Sequence, residues 1–380
     1  MRRSELSSLL VFAALVPLAA WAQQTLTCAR GQCVQVIGGS ARVGPQLRVT
    51  AHGPVTLEGG VGDELVYTAR VTVRAANESE ARRMLERFAV RVGAESGWSA
   101  LSAPAGFAAV LALRAPKLGA VSIGTSDGSV EASGIDGGLE VDSGAGPLAA
   151  DRIRGNCRLN TRGGDIRAGD IGGTLSATTG EGAITVHSSG GESVLRTMWG
   201  DIVVGNAGGP VRAETGAGTV RIENAGGAVA AATGGGQIWI GSAQGMVTAR
   251  NVAGMVHVGS AAGVTCNSGA GGVSLGNISG AIAVATLMGS ITTMLAAAPS
   301  DSYLATGSGD ITVSIPSNVG VTILAESDMA DTPRRIVSEF PQVPVLRQGT
   351  RLVARGAVNG GGPVLRISAA TGTIFIRRQR

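Results

Sequence analysis

The chain has 380 residues, of which 60 are glycine; 44% are hydrophobic but only 3% aromatic. This excludes a thick, aromatic-rich globular core, and the apolar content excludes simple disorder, leaving a thin repetitive β structure as the expectation. The formal net charge of +4 rests almost wholly on scattered arginines, with Lys117 the only lysine, so no nucleic-acid partner is expected.

The first 22 residues have the form of a secretory signal peptide. Arg2 and Arg3 precede an apolar run from Leu9 to Ala20, and Ala20-Trp21-Ala22 offers small residues at a cleavage site. Its removal would leave a charge of +3. No later segment has the length and apolarity of a membrane-spanning helix, so the mature chain is expected to be exported with no transmembrane span, to the periplasm, the cell surface or the medium. In that setting Cys28 and Cys33, five residues apart, form a possible local disulfide. Residues 23–119 read as a β-rich N-terminal capping region. "LRVTAHGPVTLEG" and "ELVYTARVTVRA" read as strands. "NESEARRMLERFAV" reads as a helix near 78–89, with Asn77 as N-cap, Glu80 at N3, and Met84, Leu85 and Phe88 on one face.

From Ala120 to Gly263 the chain divides into sixteen consecutive nine-residue units, all ending in glycine. The second position is Val, Ile or Leu in fourteen of them, with Cys157 and Ser193 the exceptions, and the fourth is mostly aliphatic. Apolar residues two apart mark a strand with one buried face. The closing residues are turn-formers, and the final glycine is expected to supply positive φ. The sixth position splits into two alternating series. One runs Thr125, Ser143, Thr161, Thr179, Thr197, Thr215, Thr233, Asn251; the other runs Gly134, Arg152, Asp170, Ser188, Asn206, Asn224, Ser242, Ser260. Two turns alternate, so the true repeat is 18 residues. That predicts an all-β fold, a β-solenoid (β-helix) of two-strand coils, over the rival antiparallel meander. Large fourth-position residues face small ones, as in Ile222 with Ala231 and Ile240 with Ala249, which suits a thin core. The repeat domain is placed at 120–293. A C-terminal solenoid end and β cap follow over 294–380, with Pro333, Pro341 and Pro344 marking a loop.

The stretches "TSDGSVEASGIDGGLEVDSG" (125–144), "TGSGDITVSIPSNVGVTI" (306–323), "NGGGPVLRIS" and "TGTIFIRR", with the charged helix interrupting the N-terminal strands, resemble the bacterial putative-adhesin family of envelope-associated β-solenoids. The resemblance covers most of the mature chain. It implies a fold and an envelope location, and it brings no catalytic residues. This chain has more Ala and Gly in its turns than many members of that family, which have Asp or Asn there more regularly.

Calcium-binding nonapeptide repeats carry a recurrent aspartate, whereas here Asp165, Asp201 and Asp310 are isolated. His52, His187 and His257 lack metal-ligand spacing, so no metal and no cofactor are assigned. Cys157 and Cys266 are expected to point inwards, about six coils and ~29 Å apart, too far for a disulfide. Outward Glu140, Asp142, Glu214 and Glu223 lie near arginines, as charge pairs would. One column of outward residues, Arg221, Trp239 and His257, reads as a stacking ladder in which Arg221 and His257 cover the indole; it is also the candidate binding patch, if its glycine flanks leave the indole face open to a sugar or a partner chain. The functional expectation is a non-enzymatic, structural or adhesin-like protein offering a repetitive surface to an envelope or extracellular partner, with a polysaccharide as one candidate. The alternative is a glycan-binding or glycan-processing β-solenoid.

Overall fold

The computed structural model describes residues 26–296, 300–328 and 335–379; the expected leader lies outside them. Burial alternates along the strands of the repeat. In Val220–Ala225, Val220, Ile222 and Ala225 are buried, while Arg221, Glu223 and Asn224 point outwards. Residues 18 apart are lateral neighbours in parallel ladders: Val220 pairs with Ile238 on one wall, and Thr215 with Thr233 on the other. Residues nine apart lie on opposite walls. The stack is therefore a flattened β-solenoid of about 11 turns, and the meander is excluded.

One wall is an 18-stranded sheet whose outer strands are Leu26–Ala29 and Ile336–Ser338. The opposite wall ends in Arg91–Glu95 and Val345–Gln348. Each of these pairs on one side only, so neither wall closes on itself among the described residues. Between the walls lies a single thin core of Val, Ile, Leu and Ala. The two exceptions at the second position are accommodated differently. Cys157 is buried as a small apolar group, and Ser193 meets Ser189 inside the core with their hydroxyl oxygens 2.7 Å apart.

Coil stacking, rather than turn conformation, explains the recurrent final glycine. Gly128 and Gly254 have the positive φ expected from the sequence, but Gly146, Gly164, Gly182, Gly200 and Gly218 do not. A Cβ on any of them would come closer than 3.0 Å to a backbone carbonyl of the coil before. At about 4.8 Å per coil there is no room for a methyl group between stacked turns. The threonines of the sixth position reinforce the same contact. Thr179 Oγ1 donates to the Gly164 carbonyl at 2.8 Å and accepts from the Gly182 amide at 3.2 Å, and Thr197, Thr215 and Thr233 repeat the pattern. Asn251 makes the first of these bonds through Nδ2.

The stack begins earlier than its visible periodicity. Gln46–Ala51 pairs in parallel with Ala120–Thr125, and Val55–Glu58 with Val130–Ile135, so 46–58 forms a coil. Trp98–Ser102 and Ala108–Arg114 stack beyond it as another. The insertion between these coils hides their period in the sequence. It carries the helix Glu78–Leu85, which packs against Leu65–Arg74. Asn77 caps the helix by accepting from the Glu80 amide at 2.9 Å. The helix is shorter than expected, and its buried stripe is Ala81 and Leu85, with Met84 exposed. Phe88 lies past its end, edge-on to Phe107. At the other end Val364–Thr371 inserts between Ser302–Ser308 and Val321–Ser327. The antiparallel strands Arg351–Val358 and Val345–Gln348 form the cap beyond it.

Candidate functional site

The two turn edges of the solenoid use their polar side chains differently. On the threonine edge the hydroxyls are buried and spent on joining coils, as described above. On the other edge the turn backbone supplies its own partners: the amides of Gly172, Gly190, Gly208 and Gly226 donate to Ile153, Ile171, Ser189 and Ala207 carbonyls at 2.7–2.8 Å. The sixth-position side chains there are left free to face solvent. Asp170, Ser188, Asn206, Asn224 and Ser242 stand one per coil along this edge, adjacent strands pairing each with the next.

These residues wall a groove of about 920 Å³ that runs along the stack. Its floor is Gly172, Gly190, Gly208 and Gly226, and the same turn position carries Arg154 in the coil before and Gln244 in the coil after. Long side chains thus bound a glycine channel at both ends. From Arg154 to Gln244 is five coil steps, ~24 Å.

The wall is hydrogen-bonded along its length, with one gap. Ser188 Oγ donates to Asp170 Oδ1 at 2.7 Å. Ser242 Oγ donates to Asn224 Oδ1 at 2.8 Å, and Asn224 Nδ2 donates to Asn206 Oδ1 at 2.9 Å. No bond joins Ser188 to Asn206, and the Asn206 amide nitrogen donates to no protein group among the described residues. The charged groups at the Arg154 end are paired: Arg152 with Asp151 at 3.0 Å, and Arg154 with Asp136 at 2.9 Å. Asp170 has His187 at 3.9 Å. From Ser188 to Ser242 the wall carries no ionisable side chain.

Arg221, Trp239 and His257 are brought together in one column on the sheet beside this edge. The guanidinium carbon of Arg221 lies 4.0 Å from the Trp239 ring centroid, and the His257 ring is stacked on the other side at 6.1 Å and 17°. Arg221 also pairs with Glu223 at 2.6 Å. The column packs as a ladder because parallel coils hold flat groups one above another. The indole is consequently covered by Arg221 and His257, the stacking ladder that the sequence suggested, rather than open.

Cys28 and Cys33 are joined by a disulfide, which ties the two outermost strands of one sheet. Cys157 and Cys266 are buried free thiols, and desolvation pushes both up to about 12. The three aspartates weighed for calcium serve the stack instead. Asp165, Asp201 and Asp310 accept backbone amides of the neighbouring coil, from Ala183, Thr219 and Thr373, at 2.7–3.0 Å. Outward acids are likewise partnered: Glu214 meets Arg196 at 3.2 Å, and Glu140 meets Arg158 at 3.8 Å.

Sequence reading identified the Asp170–Ser242 series as a turn marker and missed it as the wall of a groove. The signal was present in the double glycines at 172–173, 190–191, 208–209 and 226–227, which occur in four consecutive coils and end at Gln244.

No protein-family model matches this chain, and no curated protein matches it in sequence. Among solved structures it is similar to a putative adhesin from Bacteroides fragilis, at 13% identity and TM-score 0.33, over 64% of this chain and 97% of that one. It is also similar to a putative cell adhesion protein from Clostridium sporogenes, at 10% identity and TM-score 0.18, over 90% of this chain and 100% of that one. Both carry adhesion names, as does the family that the strand and turn motifs resemble. Superpositions this loose transfer no role, and the architecture rests on the chain's own ladders.

Proposed function

We propose that this chain is an exported, non-catalytic envelope or secreted protein of adhesin type, which presents a rigid repetitive surface to an extended envelope or extracellular partner. The observation that carries this reading is the side-chain ladder from Asp170 to Ser242: Asp170, Asn206 and Asn224 are exposed and Ser188 and Ser242 half-buried, it repeats once per coil, and it is not consumed in satisfying the backbone. A surface with that repeat suits a partner that is itself long and repetitive.

Export is supported by the leader-like residues 1–22 and by the Cys28–Cys33 bond, because disulfides persist in oxidising compartments. Among the described residues no helix is long and apolar enough to cross a membrane. Binding without turnover is supported by the acids at the groove: Asp136, Asp151 and Glu223 beside it are each held by an arginine, and Asp170 in its wall accepts from Ser188 Oγ, rather than standing poised for proton transfer. Fractionation of the native host carrying a tagged copy, followed by crosslinking, tests the reading. Recovery in the envelope or medium, crosslinked to an envelope component, is expected; retention in the cytoplasm would overturn it.

A further inference from the structure

We infer that the groove between Arg154 and Gln244 is a binding site for a neutral, linear polysaccharide, lying along the stack with its hydroxyl groups against the Asp170–Ser242 wall. This deepens the adhesin-type reading and rests on it.

Three features select that ligand. The first is shape. The channel is open along its length and floored by glycine for four coils, so it admits a chain and gives no enclosed pocket for a small molecule. Its coil spacing of ~4.8 Å is close to the advance of one sugar unit in an extended β-linked chain, so each unit lies beside the wall residue of one coil.

The second is hydrogen-bonding capacity. The floor amides are already bonded to backbone carbonyls, so recognition falls to the wall. There the Asn206 amide group and the second N–H of Asn224 are available to donate. The second carboxylate oxygen of Asp170 and the hydroxyl oxygens of Ser188 and Ser242 are available to accept. Donors and acceptors alternating at short range match hydroxyl groups, which do both.

The third is charge. The wall is uncharged from Ser188 to Ser242, and the two arginines at the groove's end already have carboxylate partners. A polyanion would find no free cation along the channel, and a polycation would find only Asp170. An uncharged polyhydroxylated chain loses the least on entering.

The test is calorimetric titration of the full chain with cello- and chito-oligosaccharides of increasing length, with oligogalacturonate as the anionic comparator. Affinity for a neutral series should rise with length and level off near five units, where the chain fills the ~24 Å between Arg154 and Gln244. Asn206→Asp keeps an acceptor for Asn224 but removes the donor pair, and it should weaken binding about fivefold or more. Thr248→Asp, on the opposite wall, should change nothing. High salt should have little effect, because no ion pair is made. Equal binding by wild type and Asn206→Asp, preference for oligogalacturonate, or no binding of the neutral oligomers would each overturn the inference. Envelope capture of both proteins in that case would leave the adhesin-type reading intact, whereas loss of capture as well would remove both. A normal thermal melt for Asn206→Asp separates lost binding from lost folding.

Discussion

Gly163 and Gly164 are adjacent in one turn, yet substitution by alanine should affect them in opposite directions. A Cβ on Gly163 meets nothing within 4 Å, and this residue does not have positive φ. Alanine there restricts the unfolded chain without harming the folded one, and should be neutral or stabilising by up to about 1 kcal/mol. A Cβ on Gly164 would overlap the Gly146 carbonyl of the preceding coil and the start of Pro147. Both obstacles are backbone, so relief requires the two coils to separate. The Thr161 and Thr179 hydroxyls, which donate to the Gly146 and Gly164 carbonyls at 3.0 and 2.8 Å, would be strained together. Overpacking of this kind costs about 1–3 kcal/mol where side chains yield, so about 3 kcal/mol or more is expected against backbone. Urea denaturation followed by circular dichroism, with hydrogen exchange to localise the damage, measures both variants. Protection should fall in the coils around 146–182 for Gly164→Ala and stay unchanged for Gly163→Ala. Similar losses in the two variants would refute close stacking as the reason for the recurrent glycine.

Ile238→Asp places a carboxylate between Val220 and Val256 in a dry core and should cost about 4–6 kcal/mol, whereas Thr248→Asp on an outer face should stay within about 0.5 kcal/mol; thermal melts distinguish them. Cys157 and Cys266 should resist thiol reagents until the chain unfolds. Their raised values make the stabilisation they give complete below 9.0 and progressively lost between 9.0 and about 12. The slope is on the order of 1.4 kcal/mol per pH unit for each thiol, and Cys157→Ala should flatten it in alkaline melts. Trp239→Ala should lower stability by about 1 kcal/mol through loss of the Arg221 and His257 stacking, and leave oligosaccharide binding unchanged. Lost binding would restore this column as a contact patch.

The solenoid was legible because a two-residue alternation inside an 18-residue period leaves few alternatives, and the ladders Val220–Ile238 and Thr215–Thr233 follow from it directly. The coils at 46–58 and 98–114 were not legible, since the insertion between them interrupts the period while the strands still find their neighbours in space. The reason for most of the closing glycines was misread for a related cause: a turn sequence suggests local φ, which only Gly128 and Gly254 among them show, whereas the wider constraint comes from a carbonyl 18 residues away. The Trp239 column was correctly placed by register, but register alone does not tell whether a ring face is open. The groove escaped notice because its wall reads as ordinary turn chemistry until both edges are compared and one proves to have its hydrogen bonds already satisfied.

A solenoid that holds a polysaccharide without altering it must retain the chain and leave the number of its ends unchanged. Incubating the full chain with purified envelope polysaccharide of the native host, and measuring bound protein and newly formed chain ends in the same sample, tests that most directly. Saturable retention is expected, with no increase in chain ends over a protein-free control. An increase that scales with protein, or no retention at all, would contradict it.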